Sequence, residues 1–188
     1  MRIITGKFKG RSITSIPNRN IRPATDRVKT TIYDMLQNRL SLNGAEVLDL
    51  FAGSGNLGFE AISRGAKEVI FVDDDPDALD IIEENAKKLN CIDQCQIIDA
   101  DALSFIVRTK MQFDLIFADP PYAYVKTLEI PNMVFEKSIL RADGLLIIEH
   151  TKHVKFEGTN LFDLSVQKEF GNTRVSFFIH PKEEGKRK

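Results

Sequence analysis

Short apolar runs alternate along the chain with longer amphipathic ones. "EVLDLF" (46–51), "EVIFVD" (68–73), "CQIID" (95–99), "FDLIFAD" (113–119) and "GLLIIEH" (144–150) are dominated by Val, Ile, Leu and Phe. Runs of this length and composition predict strands buried on both faces. Helical patterns lie between them: "AGSGNLGFEAISRGA", a glycine-rich turn into a helix; "PDALDIIEENAKKLN", with Pro76 suited to a first turn; the short "ALSFIVRTK"; and a helix over 126–139. An earlier helix starts near Thr25-Asp26, carries Val28, Ile32, Met35 and Leu36 on one face, and stops at "SLNGA". Strand–helix alternation of this kind predicts an α/β fold, a mostly parallel sheet with helices on both faces. "FDLSVQKEF" and "TRVSFFIH" predict an antiparallel pair closing one edge. At the start, "RIITGKFKGRSITSI" predicts a short β-hairpin turning at Gly6 and Gly10, and "NRNIRPA" a turn-rich link.

Composition narrows the class. An apolar content of 43% over 188 residues supports one real core, and no run approaches the eighteen apolar residues of a membrane span. The start lacks the apolar core of a signal peptide, so a cytoplasmic protein is expected. Cys91 and Cys95 stand without a second pair or nearby histidines, which is poor zinc spacing; an ordinary reduced pair and no metal are expected. The net charge of −1 hides an asymmetry. Residues 1–29 hold eight Lys/Arg (Arg2, Lys7, Lys9, Arg11, Arg19, Arg22, Arg27, Lys29) against Asp26 alone, while the rest is net acidic. That suggests a basic arm for a polyanion on an acidic body. The expected division is a basic hairpin and helix over 1–40, an α/β domain over 41–181 and a tail over 182–188.

Gly53, Gly55 and Gly58 form G-x-G-x-x-G between a strand and a helix, which marks a nucleotide-like cofactor at the carboxyl ends of the strands. Asp73, ending the next strand, suits the two hydroxyls of a ribose. Asp49 lies just before the turn, where a carboxylate disfavours a pyrophosphate. S-adenosylmethionine has no phosphate and carries an ammonium and a sulfonium, so a carboxylate suits it. Asp101, after the third strand, is placed for the adenine amine, or for capping the helix that follows; Asp99 should face elsewhere. Phe51, Ala52, Asp74 and Ala102 flank these positions and complete the expected donor site.

"ADPPY" (118–122) follows the fourth strand, which in this sheet type ends beside the first. An exocyclic amine on a nucleobase is a poor nucleophile because its lone pair is delocalised into the ring. The Asp119 carboxylate and the Pro120 carbonyl are suited to accept its hydrogens, and Pro121 stiffens the segment. Tyr122 is placed to stack on a flipped-out base. Such a site works by positioning and charge and needs no metal. His150 and Glu149, at the end of the fifth strand, read as a polar cap and a partner for loop amides. Asn172 and Arg174 read equally as pocket or turn residues.

"RPATDRVKTTIYDML", "VLDLFAGSGNLGFEAISRGA" and "FDLIFADPPY", in that order, resemble the bacterial 16S ribosomal RNA guanine-N2 methyltransferases. "MRIITGKFKGR" and "FGNTRVSFF" extend the resemblance to about residue 180. It implies a Rossmann-like class I methyltransferase with a seven-stranded sheet, S-adenosylmethionine as donor, and a guanine of 16S rRNA as target, within a small-subunit particle or assembly intermediate. It also implies that Asp119, Pro120, Pro121 and Tyr122 form the amine pocket, and that Gly53, Gly55, Asp73 and Asp101 belong to the donor site. Arg22, Thr25, Asp26 and Arg27 would stand beside the active site, with Lys7, Lys9 and Arg11 gripping RNA. A monomer is expected. The chain departs from the family pattern at Ala24 (usually Thr), Lys29-Thr30 (usually Arg-Glu) and Asn56 (usually small and apolar). The alternatives are an N6-adenine methyltransferase, for which the chain lacks a target-recognition insertion, an RNA-binding module with a dead donor pocket, and an NAD oxidoreductase, in which Asp49 and D-P-P-Y would lack a purpose.

Overall fold

The computed structural model describes residues 1–16 and 25–181. Arg22, Ala24 and the 182–188 tail lie outside the described residues. In chain order the elements are α1 (Thr25–Gln37), β1 (Glu46–Leu50), α2 (Asn56–Ser63), β2 (Glu68–Asp73), α3 (Pro76–Leu89), a 3₁₀ turn (Ile92–Gln94), β3 (Cys95–Asp99), α4 (Ala102–Arg108), β4 (Phe113–Ala118), α5 (Glu129–Glu136), β5 (Leu140–Thr151), β6 (Asp163–Phe170) and β7 (Thr173–Ile179). They build a seven-stranded mixed sheet of order β3-β2-β1-β4-β5-β7-β6. Pairing is parallel from β3 to β5 and antiparallel from β5 through β7 to β6. No helix among the described residues is long and apolar enough to cross a membrane.

The strands alternate between two apolar layers, as their doubly hydrophobic sequences require. Val47, Val69, Phe71, Leu115 and Phe117 face one layer, which also contains Val28, Ile32, Tyr33 and Leu36 of α1 and Phe59 and Ile62 of α2. Leu48, Ile70, Val72 and Ile116 face the other, with Ile106 of α4 and Ile130 and Val134 of α5. Ile3, Phe8 and Ile13 of the N-terminal segment are buried in the first layer. That segment and α1 therefore share a core with the sheet.

Three elements differ from the sequence reading. The expected N-terminal hairpin is narrow: it keeps one antiparallel bridge, Arg2 to Ser12, with cross-segment bonds from the Ile3 amide to the Arg11 carbonyl, from Gly10 to Ile3 and from Ile13 to Met1, while several of its other donors go to neighbours. The amides of Ile4 and Thr5 go to the Glu60 carboxylate, and that of Phe8 to the Ser63 hydroxyl. The helix expected over 126–139 is only α5, Glu129–Glu136. The fifth strand begins at Leu140, earlier than its apolar run. Arg141 explains the early start, since its guanidinium bridges Asp114 of β4 and Glu46 of β1 and holds this polar stretch on the sheet.

Turn chemistry fixes where the helices begin. Gly55 takes φ +75° as the residue before α2, a conformation that strains any side chain, and its amide donates to the Ala52 carbonyl. Gly58 is required for closeness instead: a Cβ there would stand 2.3 Å from the Phe71 ring. α3 starts at Pro76 behind Asp75, whose side chain accepts from the Asp77 amide, and ends at left-handed Asn90. Gly58→Ala should lower stability. Overpacking costs about 1–3 kcal/mol and outweighs the gain of up to about 1 kcal/mol in helix propensity. Urea denaturation should show a lower midpoint, and an unchanged or higher midpoint would mean that α2 can move off β2.

Candidate active site

The carboxyl ends of β1, β2 and β4 lie side by side, since Leu50 pairs with Val72 and with Ala118. Beyond them opens a cavity of about 480 Å³. Five carboxylates line it, those of Asp49, Asp73, Asp74, Asp119 and Glu149, against the Lys29 ammonium. Asp49 is buried, and its carboxylate accepts from the Gly58 amide at 2.9 Å. Burial pushes its pKa well above the usual aspartate value; the Gly58 hydrogen bond opposes this, and the charges of Asp119 and Asp73 add to it. Asp73 accepts from the Gly53 amide at 2.7 Å with one oxygen and from the Asp75 amide at 3.1 Å with the other. These two aspartates thus hold the glycine turn in place while facing its cavity. Phe51, at the turn's entry, takes φ +57°, a strained conformation for an aromatic residue, and its ring meets Tyr124 edge-on at 5.0 Å.

Most of the expected donor-site residues converge here. Asp49, Phe51, Ala52, Gly53, Asp73, Asp74 and Asp119 all line the cavity, as do Pro120, Pro121 and Tyr122. Gly55 shapes the turn from behind. Asp101 and Ala102 do not line it: Asp101 caps α4, accepting from the Ser104 amide at 2.8 Å. The chain leaves β4 at Ala118, and the Asp119 amide lies 3.4 Å from the Leu50 carbonyl, beside the glycine turn. The Tyr122 hydroxyl hydrogen-bonds that of Thr173, which fixes the ring against the start of β7. His150 is not in the cavity. It is buried, its Nδ1 donates to the Thr151 carbonyl, its Nε2 meets the Ser176 hydroxyl, and desolvation lowers its pKa. Arg174 pairs with Glu169, and Cys91 and Cys95 are free thiols. No cluster of metal-ligating side chains occurs among the described residues.

The sequence reading passed over several lining residues. Ser54 and Asn56 sit between the glycines it did single out, so adjacency was their signal. Met1, Ser15 and Ile16 come from the N-terminal segment, and only the folded chain brings them here. Lys29 is the least expected. It is fully buried, and its Nζ lies 2.7 Å from the Arg2 carbonyl, 2.7 Å from Asn56 Oδ1 and 3.5 Å from Glu60. Desolvation lowers its pKa, against the charges of Glu60 and Asp26. The departures at 29 and 56 therefore form one contact, between the ammonium and the amide oxygen. Glu60 also pairs with Arg64 at 2.8 Å. Asn85 adds a further tie, donating to the Thr14 and Ser54 carbonyls and accepting from the Thr14 amide.

The basic residues of the N-terminal segment are divided. Arg11 donates to the Leu89 and Lys88 carbonyls at the end of α3, and Lys7 Nζ lies 2.5 Å from Gln94 Oε1. Both cations lie over the Phe8 ring. Lys9, Asp26 and Arg27 border a second cavity beside α1. The start of α1 is at Thr25.

A cluster of carboxylates, one of them desolvated, calls for a cation, and the volume accommodates a nucleoside-sized ligand. S-adenosylmethionine, cationic and free of phosphate, fits these residues. Asp49 would face its positive end and Asp73 its ribose hydroxyls. Fold and site together define an S-adenosylmethionine-dependent methyltransferase of the class I type. The comparisons agree. The family model described as "Conserved hypothetical protein 95" matches residues 1–179, and the chain belongs to that family. YlbH of Bacillus subtilis is 36% identical over 182 residues, 95% of this chain and 98% of the relative. The Haemophilus influenzae protein named "Ribosomal RNA small subunit methyltransferase D" is 34% identical over 155 residues, 81% of this chain and 79% of the relative. The solved structure of yhhF from Escherichia coli superposes with a TM-score of 0.85 at 26% identity, covering 97% of this chain and 99% of that one. The resemblance read from the motifs is borne out.

Asp49→Asn should trade function for stability. The amide can still accept from Gly58 without a buried charge, so the ligand-free variant should melt higher at neutral pH. The sign follows from the raised pKa: the folded wild type binds this proton more tightly than the unfolded chain does. Its penalty is therefore absent in acid and grows as pH rises from the ordinary value of 3.8 through the raised one. The variant's advantage should vanish in acid. Donor affinity, measured by calorimetry at neutral pH, should fall about tenfold to a hundredfold for a lost charge-assisted contact. Unchanged affinity would remove Asp49 from the donor site.

Proposed function

We propose that the protein transfers a methyl group from S-adenosylmethionine to the exocyclic N2 amine of a guanine in 16S ribosomal RNA. The observation that carries the reading is that Asp119, Pro120, Pro121 and Tyr122 border the same cavity as Asp49 and Asp73. An amine seat and a donor seat thus share one space. Relatives named as small-subunit ribosomal RNA methyltransferases support the RNA substrate. The seven-stranded sheet, parallel across its donor side, and the basic N-terminal segment fit this reading. The protein would act as a monomer in the cytoplasm, on a small-subunit particle or an assembly intermediate.

Bound in the cavity, the donor supplies an electrophilic methyl group on a sulfonium and leaves as a thioether. The protein's part is to make the amine nucleophilic and hold it still. The Asp119 carboxylate and Pro120 carbonyl accept the two amine hydrogens, which turns the nitrogen's lone pair out of conjugation with the ring. The departing proton then has Asp119 as its nearest acceptor. Tyr122, anchored through Thr173, offers a fixed ring face for the extruded base. Asp101 would meet the adenine amine only from its capping position on α4. Alignment and electrostatics carry the rate, as expected for a site whose groups are held before the substrate arrives.

Incubation with labelled donor and small-subunit particles from a methylation-deficient strain, followed by nuclease digestion and mass spectrometry, should place the label on the N2 of one guanine. Label on an adenine N6 would replace the guanine reading with the adenine one. Asp119→Ala should lose at least a hundredfold in transfer rate, about 2.7 kcal/mol or more of transition-state stabilisation. It should bind donor within a few-fold of wild type, and full activity in it would overturn its role.

A further inference from the structure

We infer that the cavity between the N-terminal segment and α1 is a seat for a backbone phosphate of the RNA substrate. The inference rests on the RNA reading above and adds a site to it. This cavity, about 370 Å³, is bordered by Arg2, Lys9, Arg27 and Thr30, with Gly10 and one acid, Asp26. Arg2 and Asp26 approach to 3.7 Å with the Arg2 side chain mostly and the Asp26 side chain partly in solvent, an arrangement of little net worth. Lys9 and Arg27 are in no ion pair among the described residues. The balance is three cations to one carboxylate, beside the first turn of a thirteen-residue helix whose amino end favours anions.

Position supports this as strongly as charge does. Met1 borders the donor cavity and Arg2 borders this one. Lys29 lines the donor cavity while its ammonium holds the Arg2 carbonyl, so the two spaces share a wall. The donor cavity is acidic, and an acidic cavity repels the phosphates flanking any nucleotide that enters it. A cationic seat next door offsets that repulsion and sets the strand's register, which phosphate contacts do without reading sequence. Among the described residues, Arg11 and Lys7 of the segment are engaged elsewhere. Arg11 caps the far end of α3, whose fourteen residues run about 21 Å down from Pro76. Lys7 is held there by Gln94. The eight basic residues of 1–29 would look equivalent by composition, but among the described ones the fold leaves Arg2, Lys9 and Arg27 beside the catalytic mouth.

The test is the salt dependence of binding to an unmodified 16S RNA transcript, measured for wild type, Lys9→Gln/Arg27→Gln and Lys7→Gln. The slope of log affinity against log salt should shrink by roughly 0.7 per seat cation removed, so about 1.4 for the double variant. It should stay at the wild-type value in Lys7→Gln. Donor affinity and melting temperature, followed in the same samples, should be unaltered in the double variant because both side chains are exposed. An unchanged slope in the double variant, or an equal loss in Lys7→Gln, overturns the seat. If the wild type methylates small-subunit particles while the slopes fail, only the seat is wrong. If the wild type neither binds nor methylates the RNA, the reading beneath it fails as well.

Discussion

Asp49 keeps a carboxylate inside the protein, supported by the Gly58 amide and opposed by burial and by the charges of Asp73 and Asp119. A buried charge without compensation is costly, and like charges nearby make it costlier. The ligand-free fold tolerates this because the end of β1 and the glycine turn hold Asp49 in place and the Gly58 amide meets its carboxylate. A positive ligand removes the cost. At a separation of about 4 Å and an effective dielectric of about 20, one opposite charge contributes about 4 kcal/mol. That attraction acts against the desolvation, and it would favour a cationic sulfonium donor over an anionic dinucleotide. In the proposed donor site, the same carboxylates that penalise the empty cavity would supply the affinity of the filled one.

The N-terminal segment is joined to this arrangement through buried polar contacts. Glu60, on α2, takes the Ile4 and Thr5 amides, the Arg64 guanidinium and, across 3.5 Å, the Lys29 ammonium. Lys29 also holds Asn56 at the head of α2, and Asn85 ties Thr14 to the Ser54 carbonyl inside the glycine turn. Removing one member of such a network strands a charge away from water, so its geometry is held firmly. The segment that lies nearest the proposed RNA contacts and the turn that holds the donor are therefore parts of one packed body. The residues proposed for the RNA side and for the donor side therefore have fixed relative positions.

Much of this was legible in the sequence because backbone constraints write themselves plainly. The buried strands show as apolar runs, and Gly55 and Gly58 show because a left-handed turn and a Phe71 contact admit no side chain. Asp49, Asp73 and Asp119 show because each stands at or next to a strand end. Lys29 did not, since a lysine in a helix ordinarily faces water, and the groups that make its burial tolerable, the Arg2 carbonyl, Asn56 and Glu60, are all distant in sequence. Asn56 looked like a departure until the ammonium it meets was in place. The polar start of β5 was invisible because what keeps Arg141 on the sheet is a pair of carboxylates on other strands. Lys7 and Arg11 could not be told from Lys9 and Arg27, because composition counts charges and the fold decides which of them reach a common face.

The most direct test of the central claim is a crystal structure of the protein with a non-reactive cationic analogue of the donor. The account predicts the analogue's ammonium against Asp49, its ribose hydroxyls on Asp73, and its sulfonium-equivalent centre facing the Asp119 carboxylate across a gap wide enough for an amine. A cationic centre seated away from these carboxylates, or an Asp119 side chain turned out of the cavity when the analogue is bound, would contradict it.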